Sequence, residues 1–208
     1  RSPMSPAARI LPILGVLALL VLNLPEYLQV VTGRFPLGAF GDDFRLFYAA
    51  AWMVSLGDPR CYDLAVMNRY CLQVTAGQYH GWPLYQLPAF MFLFKPVLLW
   101  DYPTATRVFL VLNHLLLVGS VACLASALGW GRTRVERLAV VASWSVLGLL
   151  MAPVIDTLNR GQLNILVLFL VCLTLLAAAR RSAVASSLFL GLGIVVKTVP
   201  LVLVLPLV

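Results

Sequence analysis

Residues 105–128 read ATRVFLVLNHLLLVGSVACLASAL, an apolar run with one formal charge, that of Arg107. About 20 apolar residues in an α-helix cross a bilayer, so this run is long enough to be a transmembrane helix. The other apolar runs are Ile10–Leu24, which continues to Val31, Leu84–Trp100, Leu138–Val154, Leu163–Ala179 and Ala183–Val208. They lack the alternation of barrel strands, and helices satisfy their own backbone groups in lipid. The sequence therefore predicts an all-α polytopic membrane protein, with residues 1–208 forming a single transmembrane domain.

The composition agrees with this class and excludes a soluble domain. Of 208 residues, 62% are hydrophobic and 11% are charged, and the mean hydropathy is +0.95. The net charge of +7 does not indicate a nucleic-acid partner, because the arginines flank apolar runs. An uncleaved anchor is expected at the N-terminus, since no small-residue cleavage site follows the first run. The last run has no polar tail, so we expect the sequence to be the N-terminal part of a longer protein.

Charged and turn-forming residues between the runs predict the topology. Such signals occur at residues 101–103, 129–137, 156–161 and 180–181. The basic residues expected on the cytoplasmic side are Arg9, Arg132, Arg134, Arg137, Arg180 and Arg181. Six simple crossings would place the later clusters outside, unless Leu84–Trp100, which Lys95-Pro96 interrupts, dips in without crossing. Both topologies remain open, and both place the loop 32–83 opposite the N-terminus.

The external loop, residues 32–83, contains a predicted helix that begins after the acidic pair Asp42-Asp43. Its apolar stripe, at helical spacing, consists of Phe44, Phe47, Tyr48, Ala51, Trp52 and Ser55, and Gly57-Asp58-Pro59 ends it. Such a stripe is typical of a helix that lies in the membrane interface with its apolar side toward lipid. Asp42 is expected to be the N-cap, and Asp43 suits the positive end of the helix dipole.

The acidic pair is also the leading candidate for chemistry. Carboxylates are costly near hydrocarbon, so an acid at the membrane edge is a functional candidate by default. The sequence has no phosphate-binding glycine loop, nucleophile elbow or metal motif, and it indicates neither a soluble cofactor nor a metal. If the protein is an enzyme, we therefore expect a lipid donor that reaches the site through the bilayer. A carboxylate there can accept the proton of a sugar hydroxyl, which is otherwise a poor nucleophile.

Four short motifs occur in a characteristic order. The first is Asp43-Phe44-x-x-Phe47-Tyr48-x-Ala50, followed by Gly57-Asp58-Pro59-x-x-Tyr62-Asp63. The second is Trp82-Pro83-Leu84-Tyr85-Gln86-Leu87-Pro88 with Phe94-Lys95-Pro96. The third is Asn159-x-Gly161-Gln162-x-Asn164, and the fourth is Gly191-x-Gly193 leading to Lys197-Thr198-x-Pro200. In this order, over residues 43–200, the motifs resemble those of glycosyltransferase family 87.

The resemblance implies a GT-C fold, the transmembrane helix bundle of integral-membrane glycosyltransferases. It implies transfer of mannose or another sugar from a polyprenyl-phosphate donor to a glycan or glycolipid acceptor outside the cytoplasm. It also implies inversion at the anomeric carbon, with an acid at the start of the first external loop as the base. That position falls on Asp43, with Asp42 as the rival. The expected location is a bacterial inner (plasma) membrane.

Four polar residues are candidates for contacts with the donor phosphate or the sugar. Lys197 lies in an apolar run, where a cation needs a partner or a water-filled cavity, and we favour a phosphate contact over snorkelling. Gln162 and Asn164 either bind the substrate or join helices. Arg45 either pairs with the acid or contacts the lipid phosphate, and a position facing solvent or headgroups is expected.

Three ring-bearing residues complete the candidate set. Tyr48 and Tyr85 could stack on sugar rings, although an aromatic belt at the interface is the stronger explanation for each of them taken singly. His80 either assists proton transfer or is an exposed loop histidine.

Cys61 and Cys71 could pair if their loop faces an oxidising compartment.

Two other functions are consistent with parts of the sequence. A transporter for a lipid or small solute would also carry an intramembrane lysine and polar helix breaks, but it should have inverted repeats, which the sequence lacks. A non-catalytic membrane subunit would need no base.

Overall fold

The computed structural model describes residues 6–32, 42–77, 88–197 and 200, and no strand occurs among them. The α-helices of the described part are α1 Pro6–Thr32, α2 Asp42–Ser55, α3 Leu64–Val74, α4 Pro88–Phe94, α5 Tyr102–Ala127, α6 Arg134–Leu149, α7 Ala152–Arg160, α8 Asn164–Ala179 and α9 Ala183–Val196. A 3-10 helix, Lys95–Leu99, follows α4 directly. The prediction of an all-helical protein is confirmed for this part of the chain.

Two of these helices are long and apolar enough to cross a membrane. They are α5 and the Gly15–Thr32 part of α1. A third crossing is possible if α6 and α7, which meet at an angle of 71°, form one broken span. Two shorter apolar helices, α8 and α9, have 16 and 14 residues. The described helices therefore have the apolar lengths of a polytopic membrane protein.

Polar residues in the connections fix where several helices begin. The Asp63 carboxylate accepts hydrogen bonds from Ala65 N at 2.9 Å and Val66 N at 3.1 Å at the start of α3. Thr133 and Glu136 form a capping box at the start of α6, in which each side chain accepts a hydrogen bond from the other's backbone N–H. These bonds satisfy N–H groups that have no partner within the helix.

Helix α8 lies between α5 and α9 and contacts both. Gly119 permits the close approach of α5 and α8, because a Cβ at this position would lie 2.8 Å from Cε2 of the Phe169 ring. A smaller apolar cluster joins α1, α5, α7 and α8 through Val30, Leu117, Ile155, Leu158 and Ile165. The apolar face of α7 is thus packed against residues of α1, α5 and α8.

Helix α2 packs its apolar stripe against other described helices, whereas the sequence predicted that this stripe faces lipid; a position at the membrane interface stays a prediction. Phe44 and Ala51 are fully buried, and Phe47 is 3% exposed. The helix contacts α3, α4, the 3-10 helix, α5 and α7. The apolar stripe is present on α2, but it packs against other parts of the protein. The sequence pattern does not separate the two cases, because an apolar face packs equally well against side chains and against lipid tails.

Three predicted boundaries also change. The run Leu138–Val154 is interrupted, because α6 ends at Leu149 and α7 starts at Ala152. Residues 156–161, predicted as a turn, are helical up to Arg160, and Gly161 ends α7 in the left-handed conformation (φ 66°). The helix that begins at Ala183 ends at Val196, and Lys197 follows it in an extended conformation. In Leu84–Trp100, the described elements are the short α4 and the 3-10 helix that follows it directly.

Candidate active site

The acidic pair lies in the first turn of α2, at the positive end of the helix dipole. Asp42 is the first helical residue, whereas an N-cap would stand just before the helix. Both carboxylates are partly buried. The structure therefore places two adjacent acids where the backbone favours negative charge.

Asp42 is tied to the protein interior by Arg45. The Arg45 Nη2 atom lies 3.2 Å from Asp42 Oδ1, and the side chains of the two residues are 6% and 36% exposed. Burial raises the pKa of Asp42, and so does the charge of Asp43, while the guanidinium groups of Arg45 and Arg160 act in the opposite direction. The expectation of a solvent- or headgroup-facing Arg45 is wrong, because this residue is buried.

Asp43 has a different environment from its neighbour. Its side chain is partly exposed, and it takes part in none of the ion pairs or side-chain hydrogen bonds found among the described residues. A carboxylate in this situation keeps its acceptor capacity for an incoming group.

The residue that follows Asp43 is rigidly packed. The Phe44 ring is fully buried and has ring neighbours at centroid distances of 4.8 Å (Phe109), 5.8 Å (Phe94) and 6.1 Å (Tyr102). Such aromatic contacts have preferred geometries and add to the energy of burial. The backbone that carries Asp43 is thereby held against the spanning helix α5.

Arg160, at the C-terminal end of α7, is a member of the site that the sequence interpretation did not include. Its Nε donates to Asp156 Oδ1 at 2.8 Å, and both side chains are 53% exposed. Helix α7 contacts α2, and Arg160 interacts electrostatically with Asp42 and Asp43. The only sequence signal was a cation inside the Asn159–Asn164 motif, in a stretch that we predicted to be a turn.

The last two motifs meet through side chains. Lys197 Nζ donates a hydrogen bond of 2.7 Å to Asn164 Oδ1, across 33 residues of sequence. Asn164 Nδ2 in turn donates to Gln162 Oε1 at 2.7 Å and to Thr157 Oγ1 at 3.2 Å. Three residues predicted as substrate contacts therefore form one polar cluster, together with Thr157, which the sequence interpretation missed.

The aromatic candidates are only partly covered by the structure. Tyr48 is partly buried, and its hydroxyl group donates to the carbonyl oxygen of Trp100 at 2.8 Å. This bond ties α2 to the end of the 3-10 helix, which is a structural role. Tyr85 and His80 lie outside the described residues.

The described residues contain no group of three His, Cys, Asp or Glu side chains placed to hold a metal ion. Cys61 and Cys71 are both buried as free thiols, so the structure does not pair them. Burial raises the pKa of both thiols, to about 11 for Cys71. In both residues burial therefore disfavours the thiolate, which is the reactive form of cysteine.

The part of the chain that contains the polar cluster of Thr157, Gln162, Asn164 and Lys197 matches a known protein family. The family model for glycosyltransferase family 87 matches residues 85–208, more than half of the chain. The chain belongs to glycosyltransferase family 87. This confirms the family that the four motifs indicated. No curated protein and no solved structure matches the chain.

The family 87 match includes Arg160 at the end of α7, Gln162 between α7 and α8, Asn164 at the start of α8 and Lys197 directly after α9. The acidic pair precedes the matched stretch and is connected to it by the contact between α2 and α7. Family membership makes the protein a glycosyltransferase and favours that activity over transport or a purely structural role.

Proposed function

We propose that this family 87 protein transfers a sugar, mannose or a similar hexose, from a polyprenyl-phosphate donor to a glycan or glycolipid acceptor. Asp43 is the base, and Asp42 supports it from the same turn of α2. The helices form a GT-C-type bundle around the donor. No soluble cofactor and no metal is required by this chemistry.

The reaction is a single displacement. The Asp43 carboxylate accepts the proton of the acceptor hydroxyl while the hydroxyl oxygen forms a bond to the anomeric carbon. The bond between that carbon and the phosphate oxygen breaks on the opposite face, so the configuration inverts. The electron pair leaves with the polyprenyl phosphate, whose additional negative charge is stabilised by the Lys197 ammonium.

The observation that carries this proposal is the position of Lys197. A lysine at the end of the apolar helix α9 is held by an amide, and no carboxylate among the described residues pairs with its charge. A cation at the edge of a membrane helix is expected to have a functional partner. The phosphate group of a lipid donor is an anion that lies at the membrane surface, where the end of such a helix would also lie.

The helix order favours a site outside the cytoplasm. We take α1, α5, the bent pair α6–α7, α8 and α9 as the crossings, with α4 and the 3-10 helix dipping in without crossing. The basic residues at 132–137 and at 180–181 then lie on the N-terminal, cytoplasmic side. The first turn of α2, the residues 161–164 and Lys197 all lie on the other side. The contact between Lys197 and Asn164 agrees with this arrangement, because it joins two ends on the same side.

The test is a transfer assay on the purified full-length protein in lipid nanodiscs with a panel of polyprenyl-phosphate sugars. Wild-type protein should transfer one of these sugars with inversion, and Asp43→Asn should slow transfer by roughly 10²–10⁴-fold, the usual contribution of a general base. Glu136→Gln removes an exposed acid at the start of α6, where glutamine can keep the capping box, and is the matched control. Transfer by Asp43→Asn at the wild-type rate would refute the assignment of the base.

A further inference from the structure

Asn164, the first residue of α8, has an amide group held by three hydrogen bonds. Its Oδ1 atom accepts from Lys197 Nζ, and its Nδ2 atom donates to Gln162 Oε1 and Thr157 Oγ1. An amide has donors on one side and an acceptor on the other, so the reversed orientation would place N–H groups against an ammonium. The carbonyl oxygen of Asn164 is therefore directed at Lys197 by its chemistry as well as by its position.

Lys197 is held in place without being neutralised. Its backbone N–H bonds to Gly193 O at 2.9 Å where α9 ends, and its own backbone is extended (φ −157°, ψ 133°). Its side chain is exposed, and its ammonium has three N–H donors, of which the bond to Asn164 uses one. Among the described residues, the other two donors have no acceptor and are available to a second partner.

We propose, on the basis of the phosphate contact assigned to Lys197 above, that Asn164 is a positioning residue that aims the lysine at the donor phosphate. Thr157 and Gln162 brace the Asn164 amide. An amide suits this task because it accepts a hydrogen bond but carries no charge. A carboxylate at the same position would pair with the ammonium and withdraw its charge from the phosphate.

The two polar residues of the 161–164 segment then have different roles. Asn164 acts through Lys197 and has no N–H group left for the substrate, because Gln162 and Thr157 accept from its nitrogen. Gln162 uses only its carbonyl oxygen in the cluster, so its Nε2 group is the part that can donate to a ligand oxygen. Thr157 is 5% exposed and serves as a buried support.

The experiment compares two probes on the full-length protein in nanodiscs: farnesyl phosphate, and farnesol, which has the same chain without the phosphate. Binding is followed by tryptophan fluorescence. Asn164→Asp should weaken farnesyl phosphate roughly tenfold or more, as expected for the loss of a charge-assisted contact, and leave farnesol unchanged. Asn164→Ala should weaken it roughly three- to tenfold, and Thr157→Val roughly two- to threefold.

Two lysine variants complete the design. Lys197→Met should abolish the preference for the phosphate, and Lys95→Met, which removes the charge of an exposed lysine elsewhere, should leave the preference intact. If Lys197→Met weakens farnesyl phosphate while Asn164→Asp and Asn164→Ala bind it as wild type does, Asn164 is not a positioning residue but the proposed function stands. If Lys197→Met has no effect, the phosphate contact itself is wrong and the role of Asn164 is overturned with it.

Stability measurements separate positioning from folding. Asn164→Asp gains an ion pair with Lys197, so its thermal midpoint should equal or exceed that of wild type. A loss of affinity for both probes together with a lower midpoint would show a merely structural role and overturn the proposal. Thr157→Val preserves shape and tests the brace independently of any change at Asn164 itself.

Discussion

Arg45 pairs with Asp42 at 3.2 Å, and it does so from a buried position one turn further along α2. This pair distinguishes two acids that are adjacent in sequence. One carboxylate is bound to an interior cation, and the other takes part in no ion pair among the described residues.

The ion pair predicts a rescue between two variants. Arg45→Met should lower stability by about 1 kcal/mol, because it leaves the partly buried Asp42 charge without this cation. That loss corresponds to about 2–4 °C in a chain of this size. The double variant Arg45→Met, Asp42→Asn should recover part of the loss, since both charges are then gone. Thermal unfolding in detergent measures this, and additive losses would contradict the coupling.

The pH dependence of stability should carry the signature of Asp42. Burial raises its pKa in the folded protein above the ordinary value of 3.8, so folding favours the protonated form. Stability from this group should therefore increase as the pH falls from neutrality through the raised pKa toward 3.8. Asp42→Asn should remove that increase.

A second carboxylate provides an internal check at lower pH. The bonds from Arg60 lower the pKa of Asp58 to about 2, so its contribution is present above 3.8 and is lost as the pH falls toward 2. The two groups act in separate windows and with opposite sign. Asp58→Asn should change only the lower window.

Arg160 should modulate the same titration from α7. Its charge opposes the effect of burial on Asp42, so Arg160→Met should move the pKa of Asp42 further up. The window in which Asp42→Asn differs from its parent should then begin at a higher pH. Arg160→Lys keeps the charge and should behave as wild type does, and Arg69→Met, on the exposed side of α3, is the control. An unshifted window in Arg160→Met would disprove the electrostatic link between α7 and α2.

The packing of α5 on α8 gives a prediction about two glycines. Gly119→Ala should destabilise by about 1–3 kcal/mol, because the new Cβ would lie 2.8 Å from the Phe169 ring. Gly148→Ala is the matched control in α6, where the nearest atom would be 3.6 Å away, in ordinary contact. Phe169→Leu should rescue Gly119→Ala in part. Equal thermal midpoints for the two alanine variants would contradict the close approach.

The sequence located the polar cluster because charges and amides stand out in apolar runs. Lys197 and Asn164 were both identified in this way. Their contact agrees with an antiparallel arrangement in which the start of α8 and the end of α9 lie on the same side of the bundle. Arg160 was missed, since its relation to the acidic pair depends on the 71° bend that turns α7 away from α6. The burial of α2 could not be predicted either, because an apolar stripe has the same pattern whether it faces lipid or protein.

Phe44 links the proposed base to Phe109, a residue of the membrane helix α5, by ring contact alone. A missense change at Phe109 could therefore silence sugar transfer without removing a single polar atom. In a screen of variants such a change would be scored as a catalytic defect, although the altered residue belongs to the apolar helix α5. The activity would then depend on an apolar side chain that makes ring contact with the residue next to the proposed base.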